Sequence, residues 1–423
     1  MLKICRALLI IVPCFWLPAI AACAADYHLG LDFGSSYNSH ANYLDGGSLG
    51  VLDQLHFTDD RSFLLMRADP YLSFNLQNGI GGFIQADANW ENSDDEGTDE
   101  AVEIDLTNAY LSLSKAGVSA NLGLQTINFG NGLIMADNVP AAVLDFKQGK
   151  GYMQLAWAQA LDSSPMVAAT IGVHPGYFEH AALFGIWFRD QDDAFAKALP
   201  LIDQVLLESR SEGDLYWAGI SADLFVGKAL FSAMGAYQWG EFKLYNNKAS
   251  LSRAVSAFLA DLSVEGNLSD RCSLGAFIFV AGGDDTPLRD DLNAFVSIRP
   301  FNPRAAIFFD PEFMARDEDA EKLTFNGGFF GGVIAPGLTL NLVSASGLAL
   351  ETTLATFYAH HGLDDGSQWY GWEVDLGVSY NFTRFYTLYA EAARFQHGNY
   401  YESLLNEKVD PAVRFSIGLR ASF

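Results

Sequence analysis

The segment WYGWEVDLGVSYNF, Trp369 to Phe382, alternates apolar and polar residues without a break. Tyr370, Trp372, Val374, Leu376, Val378, Tyr380 and Phe382 fall on one side of an extended strand, with Gly371, Glu373, Asp375, Gly377, Ser379 and Asn381 on the other. A half-buried strand in water has the same period. The order along the apolar face narrows the choice, because it is aromatic at both ends and aliphatic in the middle. Two membrane–water interfaces sort residues in that way, and a soluble sandwich has no reason to. Ala229 to Trp239 repeats the pattern, with Phe231, Ala233, Tyr237 and Trp239 against Ser232, Met234 and Gln238. Val118 to Leu124 sets Ala120, Leu122 and Leu124 against Ser119, Asn121 and the following Gln125.

Such segments recur along the chain, and their connections alternate in length. Tight turns are expected at Gln77-Asn78-Gly79, Lys115-Ala116-Gly117, Gly149-Lys150-Gly151, Pro175-Gly176-Tyr177, Gly227-Lys228, Ser269-Asp270-Arg271, Ser344-Ala345-Ser346 and Thr383-Arg384. Long polar segments separate them, among them Glu91 to Ala101, Gln191 to Gly213, Gly283 to Glu321 and Gly398 to Asp410. Short turns on one side and long loops on the other describe an all-β transmembrane antiparallel barrel. Eight turns, with both chain ends on the turn side, predict 18 strands; reading Ala141 to Leu161 as one long loop lowers the number to 16.

The first residues, MLKICRALLIIVPCFWLPAIAACAAD, carry a basic start at Lys3 and Arg6, an apolar stretch and the small-residue site Ala22-Cys23-Ala24. This predicts a signal peptide over residues 1–24, removed to leave one barrel domain over 25–423. Ile20-Ala21-Ala22-Cys23 equally fits the box before a lipid-modified cysteine. Beyond the leader no apolar run reaches the roughly 18 residues a membrane helix needs. Three of the four cysteines lie in the leader, so Cys272 stands apart from any disulfide framework or cysteine metal site. A net charge of −26 in an exported chain argues against nucleic-acid binding, which needs clustered Lys and Arg on phosphates.

The chain closes on VRFSIGLRASF, with Phe415, Ile417, Leu419, Ala421 and Phe423 on one face. A last strand that is apolar at every second position and ends on Phe423 resembles the assembly signal of bacterial outer-membrane proteins. That resemblance implies the outer membrane as location, with lipid and lipopolysaccharide on the apolar face and the barrel-assembly machinery as a partner. Phe423 is expected beside Tyr27, where the sheet closes. Ala109 to Asn138, AYLSLSKAGVSANLGLQTINFGNGLIMADN, is similar to alginate-export-type barrels and related porins. The similarity implies a channel for a hydrophilic polymer or small solutes. It departs from that family at Leu124-Gln125, where an Arg-Gln pair would be expected, which weakens the implication of a polyanionic cargo.

Taking the polar side of each strand as the lumen collects the expected pore-lining residues. These are Asp32, Arg67, Asp69, Asp87, Asp105, Asp223, Asp261, Glu265, Glu351, Glu373, Asp375, Glu391, Arg414 and Arg420, with Glu103, Lys147 and Arg189 on the same reading. Acids outnumber bases, so the lumen is expected to favour cations. Tyr71, Trp217, Phe277 and Tyr389 share that face and offer rings to neutral saccharides. As a free lumen residue, Glu373 is expected to tolerate charge reversal. The alternatives are an exporter of anionic polysaccharide such as alginate, and a barrel hydrolase.

No cofactor or metal is implied. Asn92, Asp94, Glu96, Gly97 and Glu103 fall at EF-type spacing, but Asn at the first position and strand flanks favour a solvated acidic loop. His28, His40, His56, His174, His180, His360, His361 and His397 lie outside any hydrolase motif. Strands beginning near Tyr27 leave no room for an N-terminal plug, whereas Asp193 to Glu208 is expected to pack inside the barrel.

Overall fold

The computed structural model describes residues 25–41, 44–45, 56–57, 61–76, 79–93, 101–161, 164–175, 178–191, 193–198, 210–245, 250–284, 291–302, 304–309, 323–325, 331–406 and 408–423. The leader with Cys23, and Asp94, Glu96 and Gly97 of the acidic loop, lie outside these residues.

Long strands run as β1 (Ala25–Ala41), β2 (Arg61–Leu76), β3 (Ile80–Ser93), β4 (Ala101–Lys115), β5 (Val118–Phe129) and β6 (Met135–Gln148). They continue as β7 (Gly151–Leu161), β8 (Ser164–Val173), β9 (Phe178–Asp190), β10 (Arg210–Val226), β11 (Ala229–Tyr245) and β12 (Ser250–Ser269). The rest are β13 (Cys272–Ala281), β14 (Val333–Val343), β15 (Leu348–Tyr358), β16 (Trp369–Asn381), β17 (Tyr386–His397) and β18 (Ala412–Ser422). Each pairs antiparallel with its neighbours, and β18 pairs back onto β1, so the described strands form a closed 18-stranded barrel. Closure satisfies every edge, which hydrocarbon requires because it offers no hydrogen bonds to an open strand.

Phe423 meets Leu31 rather than Tyr27: its N–H donates to Leu31 O at 3.0 Å, and Leu31 N–H donates back to Phe423 O at 3.2 Å. The first strand therefore overhangs the seam. Met135–Gln148 and Gly151–Leu161 are two strands, which removes the 16-strand alternative. At the turn end Ala116 and Gly117 both have positive φ, 49° and 82°, as a two-residue hairpin turn that follows the sheet twist requires.

Apolar side chains cover the outer face, with aliphatics such as Leu262, Leu338 and Leu376 between two aromatic girdles. Trp157, Tyr237, Trp239 and Tyr358 lie toward the loop end, and Phe231, Tyr380, Phe382 and Phe423 toward the turn end. Prolines interrupt ladders where their missing N–H would be needed. The β2–β3 register lapses over Asp69 and Pro70, and β7–β8 shifts between Ser164 and Pro165. Near the start of β16 a bulge sets Gly371 opposite Phe357 and Trp369 opposite Tyr358, with Gly371 at φ 145°. The bulge turns Tyr370 inward, where it is fully buried, instead of toward lipid as strict alternation predicts.

Candidate functional site

The lumen is shaped by a segment that the sequence presents as a polar loop. Residues 291–302 and 304–309, between β13 and β14, fold into the barrel. Their apolar runs, Ala294-Phe295-Val296 and Ile307-Phe308-Phe309, are buried. Leu292 bonds to the β12 backbone: its N–H donates to Ala254 O at 2.8 Å, and Ser256 N–H donates to its carbonyl at 2.9 Å. Val296 N–H donates to Gln238 Oε1 at 2.9 Å, and its carbonyl accepts from Trp217 Nε1 at 3.1 Å. Ile298 N–H donates to Ile134 O at 2.7 Å, so the segment reaches the β5–β6 connection, where Arg299 pairs with Asp137.

From there the segment crosses to the far wall. Arg304 Nη2 donates to Asp261 Oδ2 at 2.6 Å, and its guanidinium sits 4.7 Å from the Phe277 ring centre. Glu373 accepts from two consecutive amides, Ile307 N–H at 2.7 Å and Phe308 N–H at 2.8 Å. Asp375 accepts from Ala306 N–H, whose carbonyl takes Arg414 Nη1 at 3.1 Å. Phe308 stacks on Phe357 at 4.1 Å between ring centres and also packs on Tyr370 and Phe395. Three strand carboxylates and one arginine thus hold a length of backbone across the lumen.

Both ends of the segment emerge at one narrow neck. A Cβ on Gly283 would lie 2.0 Å from Gly331 O, so the two backbones touch and a side chain there has no room. Gly283 N–H donates to His360 Nδ1 at 3.3 Å, and His361 N–H donates to Gly331 O at 2.9 Å. Burial, together with the adjacent His361, pulls the His360 pKa below its ordinary value. Beside the neck, the helix Asn399–Leu405 packs Tyr400 on Tyr370, and burial pushes the Tyr400 phenol up to about 12. Asp365 accepts from Ser403 Oγ and from Ser367 N–H, and these bonds hold its carboxyl below the usual range.

Strand register places all fourteen expected pore residues on the inward face. They divide into two groups. Asp261, Glu373, Asp375 and Arg414 are engaged by the inserted segment, and Glu373 is only 1% exposed. Glu373 is therefore a clamp, and the expectation that it tolerates charge reversal does not survive its two backbone bonds. Asp32, Arg67, Asp69, Asp87 and Asp105 lie on the inward face of β1–β4, away from the contacts made by the described residues of the segment. Arg67 bridges Asp69 and Asp87 at 2.9 Å each, with half of its side chain exposed. Glu351, Glu391 and Arg420 lie nearer the turn end, with Arg420 over Tyr389. Glu265 accepts from Ser273 Oγ, and Asp223 lies 3.7 Å from His180.

Arg189 does not belong to the lumen. It stands opposite Asp214 in the β9–β10 register on the outer face, beside Trp187, whose indole N–H donates to Asp214 at 2.9 Å. On β5 to β13 toward the loop end, many inward positions are apolar, and Phe129, Ile186, Phe188, Leu215 and Phe279 form a core against the segment. The start of Asp193 to Glu208 joins it, with Phe195 stacked on Phe242 at 3.8 Å and its amide received by Asp190.

Sequence reasoning missed Asp137, Gln238, Arg299 and Arg304, all of which bind within or onto the segment. The available signal was the pair of apolar runs inside a loop read as polar, together with strands apolar on both faces, such as Gly185-Ile186-Trp187-Phe188.

No protein-family model matches the chain, and no curated protein matches it. Its fold is similar to that of solved Pseudomonas aeruginosa structures. OccK9 (OpdG) aligns with a TM-score of 0.58 at 10% identity, covering 94% of this chain and 98% of that one. OpdK solved with vanillate gives 0.56 at 8% identity, covering 94% and 99%. The outer membrane protein OpdK in a further structure gives 0.53 at 9% identity, again covering 94% and 99%.

Proposed function

We propose that this barrel is an outer-membrane channel in which hydrophilic solutes move passively between the inserted segment and the wall built by β1–β4. The long-loop end faces outward and the turn end faces the periplasm, as in barrels of this layout. An 18-strand circumference is wide enough for an aqueous path, and the described residues of the segment narrow it from the side opposite β1–β4. The location follows the same reading, with lipid and lipopolysaccharide around the girdles and the assembly machinery acting on β18.

The channel prefers cations. The observation that carries this is an imbalance of free charge. Asp32, Glu103, Asp105, Glu351 and Glu391 make no ion pair among the described residues. Arg67, Arg299 and Arg304 are each tied to a carboxylate, so the inward bases set against those five acids, with no ion pair among the described residues, are Arg420 and Lys147. Unpaired carboxylates in a low-dielectric tube raise the local cation concentration. Reversal potential across a planar bilayer under a KCl gradient tests the reading, and the expected sign is that of a potassium-selective pore. Anion selectivity, or tight block by alginate, would replace it with the polyanion-export alternative.

A further inference from the structure

Because glycines and aromatics alternate across neighbouring strands of the open wall, the inward surface of β2–β4 has a texture that ion conduction does not need. Tyr71, Phe83 and Tyr110 sit on three consecutive strands and face inward. Tyr71 and Phe83 have ring centres 5.9 Å apart and planes at 25°; for Phe83 and Tyr110 the values are 5.8 Å and 31°. Tyr71 leans off β2 across β1, and a Cβ on Gly30 would lie 2.1 Å from its Cζ. That ring therefore lies over the wall at Gly30, on the inward side of the sheet. Phe83 and Tyr110 continue the near-parallel row.

Polar groups border the row. Asn108 Nδ2 donates to Gln85 Oε1 at 3.2 Å, which fixes two side-chain amides one step toward the loop end. Asp69 and Arg67 follow on β2. The rings are half-buried among the described residues, unlike Phe188 and Phe279 on the opposite wall, which are fully buried.

We propose that this row is a binding subsite for neutral oligosaccharide, an inference that rests on the channel reading above. A pyranose presents an apolar C–H face to an aromatic ring and a rim of hydroxyls to amides and carboxylates. A mostly apolar surface with a few fixed polar groups is the pattern of small-ligand sites, and a ring that is flat and rigid binds at little entropic cost. Inorganic ions gain nothing from three rings in a row. Polyanions are repelled by Asp32, Asp69 and Asp105 on the same wall.

The test uses the full-length barrel in planar bilayers, with maltohexaose and cellohexaose as probes and polyethylene glycol of matching size as the ringless control. Either sugar is expected to produce reversible current block at concentrations where the glycol does not. The double variant Phe83→Leu/Tyr110→Leu keeps apolar volume but removes two ring faces. It is expected to raise the half-blocking sugar concentration by about tenfold or more, with KCl conductance and heat-modifiable gel mobility close to the parent. Tyr110→Leu alone should fall between the two. A conducting parent that neither sugar blocks better than the glycol, or a folded double variant blocked as well as the parent, overturns the proposal. A folded parent without conductance instead defeats the channel reading, and the subsite falls with it.

Discussion

Replacing Glu373 by alanine isolates the clamp from the wall. The side chain bonds to the inserted segment through two buried amides, Ile307 and Phe308, and contributes nothing to the strand ladder. Alanine leaves both N–H groups without an acceptor, at about 1–3 kcal/mol each. The docked state of this stretch is then weakened by about 2–6 kcal/mol, at least about thirtyfold in its docking equilibrium. Asp375, Arg414, the Arg304–Asp261 pair and Phe308 packing still hold the segment, so it loosens without leaving. Single-channel recordings should show larger, flickering conductance and passage of larger neutral polymers. Glu373→Gln keeps one amide acceptor and should fall between parent and alanine. Heat-modifiable gel mobility should be unchanged, since the ladder is intact. An alanine variant with the parent's conductance and size cut-off would refute the clamp, as would one whose barrel itself melts early.

Leu376 is 44% exposed on the outer face, and Leu376→Arg at the bilayer midplane should cost about 2–4 kcal/mol, read from urea unfolding in liposomes; no loss would place that face away from lipid. Deleting Phe423 removes its two backbone bonds to Leu31 and its contacts with Phe385 and Tyr386. Slower appearance of the heat-modifiable form is expected, and unchanged assembly kinetics would count against a seam role. At the neck, His360 accepts from Gly283 only when its Nδ1 is unprotonated. Its folded pKa lies below the ordinary value of about 6.5. The neck's stabilisation is therefore full above that value and is lost as pH falls through the folded one. Amide exchange at Gly283 and His361, corrected for intrinsic rates, should accelerate between pH 7 and pH 5; a flat profile would exclude His360 as the cause.

Strand periodicity made the barrel legible because a closed wall between lipid and water imposes one rule on every residue, and Trp369 to Phe382 obeys it almost throughout. The exception, Tyr370, follows from a bulge that no alternation pattern encodes. Turn chemistry at Ala116-Gly117 and Gly227-Lys228 fixed the connections that set the strand number. The lumen was legible only as a face. Which of its carboxylates are free depends on residues 291–309, whose contacts with Asp261, Glu373 and Arg414 bridge 43, 66 and 108 positions of chain. Local pattern carries no information over such separations. Arg189 was misplaced for a simpler reason: at the loop end the barrel inverts, with apolar residues inside and charges permitted outside, where the strands leave the hydrocarbon.

The touching glycines at 283 and 331 make the inserted segment a separable cassette. Because its two ends meet, the interval between them can change in length while β13 and β14 stay in register. Changing the barrel's own diameter would mean adding or losing strands, which remakes pairings around the ring. Here the aperture is written in one interval of sequence and the wall in another. Selection on solute size can act on the cassette alone, and the eighteen strands need not record the change.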